Sequence, residues 1–76
     1  MNIQQAIEQY RGGNIDRLDI RRNLTNRRQW FVMIKQMDGK LLMLVDEDDE
    51  PVVNENLEQL FELLKGIGFR EANIVL

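Results

Sequence analysis

The residue types that do most enzyme chemistry are missing from this chain. Its 76 residues include no serine, cysteine or histidine. Thr25 is the one aliphatic hydroxyl and Tyr10 the one phenol. A nucleophilic triad needs a nucleophile and a base to activate it, and its usual members, serine or cysteine with histidine, are absent. General acid–base work falls to carboxylates, lysines and Tyr10. The carboxylates gather in one loop and on one helix surface, where water solvates them. The sequence therefore predicts a protein that is not an enzyme. Without cysteine there are no disulfides and no thiolate metal sites. Without histidine the commonest ligand of zinc, copper and nickel is gone. No metal and no cofactor are expected.

Three groups of residues have types suited to binding. The first is acidic. Asp46, Glu47, Asp48, Asp49 and Glu50 are consecutive. Oxygen-rich loops take calcium or magnesium, but the EF-hand spacing fails here. Pro51 stands where that loop needs glycine, and Leu57 where it needs a bidentate glutamate. The remaining functional reading is electrostatic. With Glu55, Glu58 and Glu62, the run presents a negative strip to a basic partner, as an inhibitor or immunity-type protein would. Solubility alone also explains it.

The second group is basic. Arg17, Arg21, Arg22, Arg27 and Arg28 lie close in sequence beside Trp30 and Phe31, with Arg11 upstream and no lysine among them. Arginine makes two-pronged bonds to phosphate and stacks on rings. Arginine beside an aromatic is what a single-stranded nucleic-acid surface uses. Against it stand a pI near 4.8 and a competing reading in which Trp30 is core and the arginines pair with Asp16, Asp19 and the acidic half.

The third group is apolar. Trp30-Phe31-Val32-Met33-Ile34 and Leu41-Leu42-Met43-Leu44-Val45 flank Asp38-Gly39, a strong hairpin signal that predicts a two-residue type I′ turn. A strand with one wet face alternates apolar and polar residues, and this pair mostly does not. Something must cover both sides. Phe31 and Met33 share one parity, Trp30, Val32 and Ile34 the other. One set faces a helix. The other lies under the N-terminal segments or is open to a partner, with Phe31, Met33 and Met43 as contact residues. Methionine adapts well to irregular surfaces.

The elements that position these groups follow from periodicity. Ile3, Ala6, Ile7 and Tyr10 predict a helix over about 2–10, capped by Asn2 and closed at Gly12-Gly13. Residues 15–26 read as a second helix, with Asn14 as cap and Ile20 and Leu24 on one side. Leu18, Ile20 and Leu24 also share strand parity, so a strand competes. Strands are expected at about 29–36 and 40–46, with a brief one possible at 51–53. Asn54 is expected to cap a helix over 54–65, built on Leu57, Leu60, Phe61 and Leu64 and ended by Gly66 and Gly68. Ala72, Ile74 and Leu76 share a face of a last strand over 71–76, with Val75 opposite. That strand is expected to be covered on both sides, with Leu76 built into the sheet.

The whole is expected to be one α+β domain, residues 1–76: helices on a small antiparallel sheet of three or four strands. A chain this short buries roughly 60–65% of its surface and gains from self-association. Residues 1–36 carry seven basic and three acidic side chains, and residues 37–76 three and ten. The halves either face apart, giving a dipolar molecule, or neutralise each other within the fold. No secretory signal or membrane-length apolar run is read, so a cytoplasmic location is the default. The leading functional expectation is a small protein–protein interaction module, self-associating as a homodimer through an apolar sheet face. The alternatives are a nucleic-acid-binding regulator and an acidic inhibitor.

Overall fold

The computed structural model describes residues 1–76. In chain order the elements are α1 (Ile3–Arg11), β1 (Ile15–Arg22), β2 (Trp30–Gln36), β3 (Leu41–Met43), β4 (Val53–Asn54), α2 (Leu57–Ile67) and β5 (Asn73–Val75). The α+β class expected from the sequence is what forms, with two helices and a five-stranded sheet. The strand order is β3-β2-β1-β5, and β4 pairs with β2 beyond the end of β3. β2 is antiparallel to β1, β3 and β4, whereas β5 is parallel to β1. The sheet is therefore mixed, not antiparallel as expected. β4 and β1 point the same way, and α2 returns the chain to the end of the sheet from which β5 can run parallel to them.

Residues 15–22 are a strand, not the start of a helix. Leu18 and Ile20 are buried on one side, and Arg17, Asp19 and Arg21 alternate onto the other. Only this period of two lets β1 hide Leu18 and Ile20 while Arg17, Asp19 and Arg21 share the other face. Asn14 does not cap a second helix. Its side-chain amide donates to Gln9 and its backbone N–H donates to the Gln9 carbonyl, so it closes α1 instead. Gly13 supplies the left-handed φ of +73° that turns the chain into β1. Leu24 lies past the strand and is exposed.

α1 begins as its sequence requires. Asn2 accepts from the N–H of Gln5, and Gln5 reaches back to the N–H of Asn2, a reciprocal cap. The cap of α2 is Asn56 rather than Asn54: its Oδ1 accepts from the N–H groups of Glu58 and Gln59. Asn54 instead accepts from the N–H of Asn56 and so sets up the turn before the helix. α2 runs through Gly66 and stops at Gly68, whose φ is +116°. The hairpin differs from expectation as well. Gly39 alone has positive φ, Gln36 and Lys40 are bonded across the loop, and Asp38 Oδ1 accepts from the N–H of Lys40. The loop therefore has three residues, Met37, Asp38 and Gly39, a standard hairpin length with its glycine in the left-handed position. Strand β3 is shorter than 40–46, although Val45 still forms bridges to Asn2 and Pro51.

One core holds the molecule together. Leu18 and Ile20 of β1 and Trp30, Val32 and Ile34 of β2 supply the sheet side, joined by Leu44. Ala6 of α1 and Leu60, Leu64 and Ile67 of α2 supply the helix side, and Phe69 follows them. Both helices pack on this same face and touch each other. The last strand is not covered on both sides. Asn73–Val75 are all exposed, and Leu76, outside the strand, is 97% exposed. Asn56→Ala is expected to lower stability by about 1 kcal/mol, because two N–H groups at the start of α2 lose their acceptor. Urea unfolding followed by circular dichroism measures the change.

Candidate functional site

The odd-numbered residues of β2 point away from the helices. Trp30, Val32 and Ile34 are buried, while Phe31, Met33 and Lys35 between them are only partly so. The register extends this second face across the sheet in three rows. Leu41, Lys35 and Arg17 form one row. Met43, Met33, Asp19 and Asn73 form the next. Val53, Phe31, Arg21 and Val75 form the third. No helix lies over these rows, because both helices belong to the opposite face. The N-terminal residues do not cover them: α1 packs beside α2, and residues 15–22 are part of the sheet itself.

The open face is apolar on one side and charged on the other. Phe31, Met33, Met43, Leu41 and Val53 make the apolar part, on β2, β3 and β4. Leu41 is 52% exposed and Val53 36%. The charged part belongs to β1. Asp19 is 3% exposed although it carries a carboxylate. Arg17 Nε and Arg21 Nη2 each approach it at 3.4 Å, and Asn73 Nδ2 donates to it at 3.4 Å from the neighbouring strand. A buried carboxylate needs such partners to offset lost hydration. Arg17 and Arg21 stay nearly half exposed, so one anion sits beneath two outward-facing cations. Lys35 pairs with Asp16 at 3.8 Å. The face thus joins a greasy strip to a rim of net positive charge.

The structure separates the arginines that are adjacent in sequence. Arg17 and Arg21 flank Asp19 on the open face. Arg22 points the other way and lies over the Trp30 ring, 4.3 Å from its centre, while its Nη1 donates to the Arg27 carbonyl. Trp30 is core, so its ring is not free to stack on a base. Arg27 and Arg28 sit in the exposed loop between β1 and β2. The cluster is not one surface.

The acidic run closes a tight hairpin. Asp46 Oδ1 accepts from the N–H groups of Asp48 and Glu50, and Asp46 N–H donates to the Glu50 carbonyl. Asp46 is therefore used within the loop, and Asp48, Asp49 and Glu50 project into water. No group of three or more acidic side chains converges as a metal-binding set. The two charged halves do not cancel by direct pairing. All four salt bridges join residues of the same half: three within residues 1–36, and Lys65 to Glu62 in the other.

The structure places the candidate residues Phe31, Met33 and Met43 on one face, of which parity in the sequence joins only Phe31 and Met33. Sequence reasoning missed Asp19, Leu41, Val53 and Asn73 as their neighbours. Alternation of Leu18 and Ile20 with Arg17, Asp19 and Arg21 was the available signal. No helix is long and apolar enough to cross a membrane.

Asp19→Asn is expected to cost about 1–2 kcal/mol, because Arg17 and Arg21 lose their shared anion. Arg27→Ala and Arg28→Ala are expected to change stability by less than about 0.5 kcal/mol each, as exposed loop positions do. Urea denaturation of the three variants distinguishes the buried carboxylate from the loop arginines. Comparison of the chain with protein-family models, with curated proteins and with solved structures finds no match.

Proposed function

We propose that this chain is a non-enzymatic protein–protein interaction module that self-associates through the open face of its sheet. The single observation behind the reading is the uncovered strip of Phe31, Met33, Met43, Leu41 and Val53 on the side away from both helices. Contiguous exposed apolar patches on small proteins mark contact surfaces. A two-fold contact is the simplest closed arrangement for identical chains. An axis running midway between β2 and its β3 and β4 neighbours sets one apolar strip on the other. It also keeps the arginines of the two copies on opposite flanks, so that like charges do not meet. Each 100 Å² of apolar surface removed from water contributes roughly 2.5 kcal/mol before the costs of association. The sequence supports the non-enzymatic part, since it lacks serine, cysteine and histidine.

Sedimentation equilibrium tests the reading. The unmutated chain is expected to rise in mass with concentration toward that of two chains. Met33→Asp is expected to stay single, because a carboxylate at the centre of the contact loses its hydration without gaining a partner. Met33 lies outside the core cluster, so this variant is expected to keep cooperative thermal unfolding. A single-chain mass for the unmutated protein at millimolar concentration overturns self-association.

A further inference from the structure

A different surface carries a second kind of contact. β1 has eight residues, but β5 pairs with only Asp19, Ile20 and Arg21. Residues Ile15–Leu18 therefore have β2 on one side and no strand on the other. Within a strand, backbone N–H and C=O groups point alternately to the two sides. The register of β1 on β2 shifts between Ile15 and Arg17, leaving Asp16 without a partner on β2. Some of the main-chain groups of Ile15–Arg17 thus point away from β2, although the alternation is interrupted there. The segment that leaves α2 does not satisfy them: no backbone hydrogen bond joins residues 15–18 to residues 69–72. The chain swings out of the lane and enters it only at Asn73.

A groove of about 330 Å³ fills the vacated lane, with Ile15–Leu18 along one wall and Phe69–Asn73 along the other. Its apolar lining includes Tyr10 and Phe69, whose rings meet at 4.5 Å between centres. Its charged lining cancels, Asp16 and Glu71 against Arg17 and Arg70. A row of free main-chain donors and acceptors selects a ligand with the same repeat, which is another main chain. Three residues, Ile15–Arg17, at about 3.3 Å each give an open edge roughly 10 Å long.

We propose that this lane binds an extended peptide segment of a partner protein by strand addition. The peptide main chain bonds to the free edge of Ile15–Arg17, and an apolar side chain meets Tyr10 and Phe69. Main-chain bonds supply the affinity and the ring pair supplies selectivity, as in other strand-addition sites. Balanced rim charges make the affinity nearly independent of salt.

Selection of a displayed library of random octapeptides against the full chain tests the proposal. A synthetic copy of the strongest peptide is then N-methylated at one position at a time. Binding is read by fluorescence anisotropy, and the site by amide shifts of the labelled protein. Strand addition expects a period of two. Methylation at one parity weakens binding tenfold or more, and at the other parity changes little, because alternate N–H groups face the protein. The shifts are expected at residues 15–18 and 69–73. Failure to enrich any peptide overturns the proposal, and so does a methylation scan without alternation. Shifts confined to Phe31, Met33 and Met43 also overturn it, and leave the open face standing as the docking surface.

Discussion

One layer of helices can cover one face of a sheet and no more. That constraint organises this molecule. α1 and α2 lie side by side over Leu18, Ile20, Trp30, Val32 and Ile34, and together they complete a single core. The strand repeat then forces Phe31 and Met33 to the other side, however apolar they are. Within these 76 residues the helices are already spent on one face.

The charged side of that second face is built on one buried carboxylate. Asp19 sits in the middle of β1 with an arginine two residues away on each side, and Asn73 reaches it from β5. The arrangement ties the last strand to the centre of the sheet at a point where β5 buries little of its own surface. It also holds Arg17 and Arg21 alongside the apolar strip. Arg17 and Arg21 therefore face outward here without pairing to the acidic half, most of whose carboxylates are in the Asp46–Glu50 hairpin and on α2. The two halves of the chain keep separate ion-pair sets after folding, although Asp16 and Arg17 line one groove with Arg70 and Glu71.

Much of this was legible in the residues, and the misses have physical causes. α1, α2 and the β2–β3 hairpin follow from repeats of 3.6 and 2 residues, with caps of the expected types. Residues 15–22 were ambiguous because Ile20 and Leu24 fit a helical step, while the strand parity of Leu18 and Ile20 becomes decisive only beside the paired strand β2. The parallel entry of β5 rests on a contact between Asp19 and Asn73, which are 54 residues apart, and no local pattern reports that. The cap of α2 moved from Asn54 to Asn56 because both asparagines suit the role, and the turn between them decides which one is used. Of the candidate site, the shared face of Phe31 and Met33 is readable from parity, whereas that of Met43 needs the register of β2 on β3. The arginines were readable as a group only in sequence, since successive residues of β1 point to opposite faces and Arg21 and Arg22 part company there.

The methionines offer the most direct probe of the open face. Met33 and Met43 lie on it, and Met37 stands clear of it in the hairpin loop, 65% exposed. Thioethers in water oxidise faster than thioethers buried in a contact. Peroxide oxidation of each methionine, followed by mass spectrometry across a range of protein concentrations, separates the cases. Association through this face requires Met33 and Met43 to become several-fold slower as concentration rises while Met37 keeps its rate. Unchanged rates at Met33 and Met43 over the whole range would contradict it.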